Sequence, residues 1–328
     1  MDLPFIFMLL MGVSVLTYVL LDGYDLGVGM LMPAAGEEEQ SIMVASIGPF
    51  WDANETWLVL GIGILLAAFP VAHGIVLGSL YLPVVAMLVG LMMRGVAFEL
   101  RIKALGWHRA LWNWFFWAGS FAASFFQGVM LGRYITGFEP GFGYWLFALI
   151  VGASLCGGYV LLGATWLIFK TEGELQKKAA AWAQWGMLWV ALGVALVSIG
   201  TPLVSGTVRD KWFDFPRTAW LMVLPAATLV AGWWLWRVVA RVKAGDATHD
   251  VQPYLGAAAI FALAFLGLAY SIYPYVVIDR LTIWDAAAHP SALKVVLAGA
   301  LVVLPFIVAY TILSYRIFRG KAKAGLYD

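Results

Sequence analysis

The sequence predicts an all-α integral membrane protein with about nine transmembrane helices. Of its 328 residues, 63% are hydrophobic and only 12% are charged, and its mean hydropathy is +0.88. A soluble domain of this length would carry more charge, and no connecting segment is long enough to fold separately. Residues 1–328 are therefore expected to form a single polytopic transmembrane domain.

Apolar runs of about 20 residues, the length that crosses the hydrocarbon core of a bilayer, define the predicted spans. They cover residues 4–32, 51–69, 74–93, 111–135, 144–169, 182–203, 218–239, 254–278 and 293–315. This number of spans suits two four-helix bundles plus one additional helix. The bounds follow from hydropathy alone, so each end is uncertain by several residues.

The distribution of basic residues predicts the orientation, because Lys and Arg are retained on the cytoplasmic side. Of the 20 Lys and Arg residues, most fall in one alternating set of connections and in the C-terminal segment. This alternation fits an odd number of spans. The N-terminus is therefore expected in the periplasm and the C-terminus in the cytoplasm.

Several classes of function are disfavoured by the composition. The net charge of +1 and the absence of a long basic run argue against nucleic-acid binding. The single cysteine, Cys156, excludes a disulfide framework within the chain and a cysteine metal pair. The four histidines, His73, His108, His249 and His289, fall in predicted loops or at helix ends. We therefore expect this chain to bind no haem and no metal, and any haem to be held by a partner.

Two carboxylates, Asp52 and Glu55, lie at the start of the second predicted span, in the segment WDANETW that begins at Trp51. Charged groups are costly in a membrane and usually mark a proton or ion route or a buried polar contact. One interpretation is a capping box, in which Asp52 accepts backbone amides and Glu55 reaches back. The other is a proton pathway formed by these acids with Asn54, shielded from water by Trp51 and Trp57. Both interpretations can hold together.

A secondary polar network is predicted from Asp22, Asp25, Arg94, Glu99 and Arg101. The two aspartates are three residues apart and share a helix face, among glycines that allow close helix approach. The basic residues at the end of the third span can neutralise these carboxylates where the dielectric is low. A structural ion-pair network and a polar relay from the cytoplasm are both open.

Seven segments of the chain together resemble subunit II of cytochrome bd-type quinol oxidases. They are residues 22–29, 51–57, 94–101, 158–166, 170–173, 273–275 and 281–288. The resemblance implies a heterodimeric terminal oxidase of the bacterial cytoplasmic membrane that oxidises quinol and reduces O2 to water. It also implies that haem b and haem d belong to subunit I, and that subunit II has nine helices and no haem.

The resemblance also assigns a role to the acidic segment of the second span. Asp52 resembles the family's acid at the cytoplasmic entrance of the proton route, and Trp51 and Asn54 accompany it. Ala53 and Glu55 stand where relatives often have Gly and Gln, so this chain has an additional carboxylate. The hypothesis is that Asp52, assisted by Glu55, passes protons toward the oxygen-reducing haem in subunit I.

The expected partners are subunit I, small single-helix subunits, and membrane lipid, with quinol and O2 as substrates of the complex. A structural quinone or a lipid is a further candidate ligand. The bulky faces expected to bury against subunit I include Phe115, Phe116, Phe125 and Phe126.

Two alternatives belong to other functional classes. Paired intramembrane acids and glycine-interrupted helices also occur in ion-coupled secondary transporters, which usually contain internal repeats. Residues 23–27 and 158–163 show only a faint echo of such a repeat. The second alternative is a pure assembly scaffold, in which no acidic residue affects turnover.

Overall fold

A computed structural model describes residues 2–246 and 248–323 of the chain, and helices dominate it. The helices are α1 Leu3–Leu31, α2 Glu37–Ile47, α3 Trp51–Ala68, α4 Pro70–Ser79, α5 Tyr81–Lys103, α6 Trp107–Ile135, α7 Phe142–Lys170, α8 Gly173–Val204, α9 Gly206–Trp212, α10 Arg217–Leu221, α11 Val223–Lys243, α12 Gln252–Ile272, α13 Ile283–Ala286 and α14 Pro290–Ile317. A 3₁₀ turn, Met32–Ala34, extends α1, and two short strands are β1 Tyr275–Val277 and β2 Leu281–Thr282. The all-α membrane class is confirmed.

Eight helical segments among the described residues are long and apolar enough to cross a membrane. They contain α1, α5, α6, α7, α8, α11, α12 and α14. The predicted second span corresponds to α3, which has 18 residues and stands outside this group. Its first two turns carry Asp52, Asn54 and Glu55, which reduce its apolar character. The count of nine spans and the two-bundle layout therefore stay predictions.

Several predicted span boundaries were wrong. The helical structure is interrupted at Leu80, between α4 and α5. The third span therefore begins at Tyr81 and continues to Lys103. The eighth span ends at Ile272, and β1 follows where a helix was expected. Pro274 explains this end, because proline has no backbone N–H and disfavours helical geometry in the residue before it.

The α1–α7 crossing is built on glycine. A Cβ atom on Gly27 would lie 1.8 Å from the carbonyl oxygen of Tyr159, and one on Gly163 would lie 2.4 Å from the Gly27 carbonyl carbon. No side chain fits between backbones this close, so the predicted close approach at Gly27 is confirmed. The two segments that echo each other in sequence, 23–27 and 158–163, thus meet at this crossing.

The predicted site residues lie at the end of the bundle where α1, α5 and α7 end and α3, α6 and α8 begin. We call it the basic end, because it holds Arg94, Arg101 and Lys170. The segment after α14 folds over it: Lys170 Nζ lies 2.6 Å from the carbonyl oxygens of Phe318 and Gly320. This contact ties α14 to α7, whereas most of α14 has an exposed surface, with only Leu293 and Ser314 fully buried.

Candidate functional site

A buried salt bridge joins α1 to α5 inside the basic end. Arg94 Nη1 lies 2.7 Å from Asp22 Oδ1, and the two side chains are 2% and 0% exposed. Glu55 of α3 is further away, with Oε2 at 3.9 Å from Arg94 Nη2, and its side chain is 32% exposed. Three helices therefore bring one cation and two carboxylates together. The structure thus pairs Arg94 with Asp22, one of the three carboxylates that it was expected to neutralise.

The second aspartate of α1 belongs to a separate hydrogen-bonded group. Asn54 Nδ2 donates to Asp25 Oδ2 at 2.8 Å and to the Tyr24 hydroxyl at 2.9 Å. The Tyr315 hydroxyl donates to Asn54 Oδ1 at 3.1 Å and lies 2.6 Å from the Tyr24 hydroxyl. Asp25 and Asn54 are fully buried. The amide of Asn54 thus holds a carboxylate in the core between α1, α3 and α14.

Aromatic rings enclose the Asp25 group. Tyr24 stacks on Trp166 with ring centroids 4.0 Å apart, and Phe50 stacks on Tyr315 at 4.6 Å. Trp166 Nε1 donates to the Ser46 carbonyl oxygen at 3.2 Å, which fixes the ring. These rings separate the carboxylate from bulk water at the basic end, so its hydrogen bonds act in a low-dielectric environment.

A further chain of hydrogen bonds lies beside Asp22, deeper in the bundle, and links α1, α6 and α7. Tyr18, one turn before Asp22, interacts with that carboxylate. Gln127 Nε2 donates to the Tyr18 hydroxyl at 2.6 Å, and the Tyr159 hydroxyl donates to Gln127 Oε1 at 2.7 Å. The sequence analysis did not predict these hydrogen bonds. Their one signal was Gln127, an amide in the apolar middle of α6.

Asp52 has a different environment from its neighbours on α3. It is exposed and lies in the first turn, one turn from Glu55. The capping-box interpretation was wrong, because α3 begins at Trp51, Phe50 occupies the capping position, and no side chain caps the helix. A carboxylate in the first turn is still favoured by the helix dipole. Asn54 points into the core instead. The polar residues of α3 are therefore divided, with Asp52 at the surface and Asn54 in the core.

The remaining predicted residues divide between core and surface. Trp51 packs beside Phe98 at 5.2 Å between ring centroids and lies 5.9 Å from the Arg94 guanidinium carbon. Trp57 is 5% exposed. Glu99 is exposed at the end of α5. Trp51 therefore lines the Arg94 region, whereas Trp57 is buried within the chain.

Arg101 does not join the aspartates. Its Nε donates to Asn113 Oδ1 at 2.6 Å, and its Nη2 donates to Ser41 Oγ at 3.3 Å. The expected neutralisation by several basic residues therefore rests on Arg94. Arg101 lies two turns further along α5, beyond the level of Asp22.

The acidic side chains of this site differ in their burial. Acidic side chains follow one another from the exposed Asp52 through the half-buried Glu55 to the buried Asp22, which pairs with Arg94. One oxygen of each buried carboxylate, Asp22 Oδ2 and Asp25 Oδ1, has no donor among the described residues. Such an oxygen can accept a further hydrogen bond. No group of three or more His, Cys, Asp or Glu side chains in the described ranges has a metal-binding arrangement.

Residues 3–318 match the family described as cytochrome bd terminal oxidase subunit II. The chain belongs to this family. Among relatives of this subunit II, the cytochrome bd ubiquinol oxidase subunit 2 of Bacillus subtilis (strain 168) is 30% identical over 340 residues, covering 98% of this chain and 96% of the relative. The cytochrome bd-I ubiquinol oxidase subunit 2 of Escherichia coli (strain K12) is 29% identical over 366 residues, covering 97% and 95%.

The fold of this subunit II also matches a solved structure described as the bd oxidase from Geobacillus thermodenitrificans. The TM-score is 0.74 at 18% identity, over 98% of this chain and 100% of the other chain. Family membership makes the chain a subunit of a cytochrome bd-type quinol oxidase, an oxidoreductase complex that contains haem and a subunit I. The predicted resemblance is thus confirmed.

Proposed function

We propose that this chain is the haem-free subunit of the oxidase and forms the cytoplasmic entrance of the proton route to the oxygen-reducing haem. The complex oxidises quinol, reduces O2 to water and takes the protons for this reaction from the cytoplasm. In this proposal the chain supports subunit I and is inactive alone.

The observation that carries the proposal is the change in burial along the acidic residues. Asp52 is exposed, the Glu55 side chain is 32% exposed, and Asp22 is fully buried. Placing carboxylates at increasing depth in a membrane helix bundle costs more free energy than filling the same positions with apolar side chains. This cost favours a proton route over a purely structural role for these residues. Arg94 compensates the inner charge and prevents the buried carboxylate from being isolated.

We infer the orientation from the basic residues. The basic end contains most of the Lys and Arg side chains, in the connections between spans and after α14. This distribution supports a cytoplasmic basic end, a periplasmic N-terminus and location in the bacterial cytoplasmic membrane. The acidic residues then face the compartment that supplies protons.

Haem b and haem d are assigned to subunit I. An axial haem ligand is a buried His or Met side chain facing the haem iron. Among the four histidines, His108, His249 and His289 are exposed, and His73 is half-buried in the short helix α4. Small single-helix subunits, a structural quinone and lipid stay candidate partners.

The Asp52→Asn variant tests the proton route. Asparagine keeps the size of the side chain but cannot carry the proton, so quinol oxidase turnover should fall by roughly tenfold or more. Assembly should be normal, because Asp52 is exposed and caps no helix. Glu38→Gln is the matched control, since Glu38 is an exposed acid on α2. Unchanged turnover in an assembled complex with a normal haem spectrum removes Asp52 from the route.

Purification through this chain tests the assignment of the haems. The native complex should contain a haem-bearing partner and a visible haem spectrum, whereas the chain expressed alone should be unstable and colourless. Phe116, expected at the interface, is buried in the chain's own core. Substrate-driven uptake by the lone chain in vesicles would instead favour the ion-coupled transporter.

A further inference from the structure

Residues 318–323 follow α14 and lie across the basic end, and we call this segment the strap. Lys170, the last residue of α7, donates through its Nζ to the carbonyl oxygens of Phe318 and Gly320, both at 2.6 Å. The backbone N–H of Ala322 donates to the Lys170 carbonyl oxygen at 2.7 Å. The end of α7 therefore contacts the strap through both a side chain and the backbone.

Lys321 of the strap makes the reverse contact. Its Nζ donates to the carbonyl oxygens of Phe169 and Thr171, at 2.8 and 3.0 Å, and also pairs with Asp250 in the connection before α12. A charged donor makes a stronger hydrogen bond than a neutral one. Two lysines, one on each segment, thus fasten the strap to the end of α7.

The strap and Lys170 lie over the aromatic rings that enclose the Asp25 group. Lys170 Nζ is 5.3 Å from the ring centroid of Phe50 and 5.7 Å from that of Trp166. The same ammonium contacts the carbonyl oxygens of the strap, and the Lys170 side chain is only 3% exposed. The lysine is therefore buried between these rings and the strap.

The strap also continues from the helix that completes the Asp25 group. Tyr315 lies three residues before Phe318, and its hydroxyl donates to Asn54 Oδ1 at 3.1 Å. The Phe318 ring meets the Phe50 ring edge-on, with centroids 6.2 Å apart. Burial of an ammonium is costly unless its hydrogen bonds are satisfied, so the position of Lys170 depends on an attached strap.

We propose that the strap is a closure that separates the Asp25 carboxylate from water at the basic end, with Lys170 and Lys321 as its two fasteners. Phe318 and Gly320 are exposed, so the strap can detach locally while the helix bundle stays folded. Water then reaches the Asp25 group directly. The closure concerns Asp25 and holds whether or not Asp52 passes protons.

The test is carboxyl labelling of the intact oxidase complex with a water-soluble carbodiimide and glycinamide, mapped by mass spectrometry. In the wild type the exposed Asp52 should be labelled and Asp25 should be protected. Lys321→Met should raise the labelling of Asp25 at least about tenfold, because the strap loses two hydrogen bonds from a charged donor and its pairing with Asp250. Lys323→Met is the matched control, an exposed lysine of the same strap, and should label as the wild type does.

Lys170→Met is the second variant, because it removes the other fastener and leaves the sequence of the strap unchanged. It should raise the labelling of Asp25 in the same way. Equal labelling of Asp25 in the wild type, Lys170→Met and Lys321→Met overturns the proposal, as does wild-type labelling of Asp25 as fast as that of Asp52. Labelling that rises only in complexes that have lost their haem absorbance also overturns it, because the bundle rather than the strap has then opened.

Discussion

Replacing Gly27 with alanine should prevent stable assembly of the oxidase complex. The new Cβ atom would lie 1.8 Å from the carbonyl oxygen of Tyr159 and 2.8 Å from the backbone nitrogen of Gly163. Backbone atoms cannot move aside as a flexible side chain can, so α1 and α7 would have to separate. Overpacking of a core usually costs about 1–3 kcal/mol, and a clash with backbone should exceed that range. The measurement is the yield of purified complex and its haem absorbance.

Gly12→Ala provides the matched control on the same helix. A Cβ atom there would meet only the ring of Phe265, at 3.7 Å, which is ordinary contact. Alanine also has a higher helix propensity than glycine, by about 1 kcal/mol. The Gly12→Ala complex should therefore be as stable as the wild type. A Gly27→Ala complex with wild-type yield and spectrum would show that α1 and α7 do not cross as described.

Replacing Arg94 with glutamine should destabilise the complex nearly as strongly. Arg94 is 2% exposed, and its partner Asp22 is fully buried. Removing one member of a buried ion pair leaves the other charge uncompensated, which typically costs about 3–5 kcal/mol. The thermal stability of the detergent-solubilised complex, followed by loss of the haem absorbance, measures this effect. Arg316→Gln, an exposed change at the end of α14, should leave the stability unchanged.

The double variant Asp22→Asn with Arg94→Gln separates the ion pair from other effects of Arg94. Removing both charges should restore part of the stability lost in Arg94→Gln, because no uncompensated carboxylate is then left at position 22. If the two substitutions are instead additive, the Asp22–Arg94 contact contributes no coupling free energy. That outcome would contradict the central ion pair of the site.

The carboxylates of this site could be predicted from sequence, but their contacts could not. Asp22 and Asp25 are conspicuous in an apolar chain, and their spacing places them on one helix face. Hydropathy does not tell which neighbour each will meet. Asp22 pairs with Arg94 on α5, whereas Asp25 bonds to Asn54 on α3, although only three residues separate them.

The hydroxyl and amide partners were harder to predict. Tyr24 and Tyr315 are separated by 291 residues, and their hydroxyls lie 2.6 Å apart. Tyrosine and glutamine are tolerated at many positions of a membrane helix, so their presence alone does not mark a network. The capping-box prediction failed for a related reason: the bounds of α3 decide which residue occupies the cap, and sequence fixes such bounds only within a few residues.

The sequence by itself determined the membrane class, the family resemblance and the identity of the acidic segments. Each of these depends on local composition or on motifs that are continuous along the chain. Only the tertiary structure decided that Asp22 has a cationic partner, that Asp25 has an amide partner, and that Asp52 is exposed. The physical reason is that close helix contacts at glycines, such as Gly27 against Gly163, set the rotation and depth of each helix. The rotation and depth in turn decide which side chains meet.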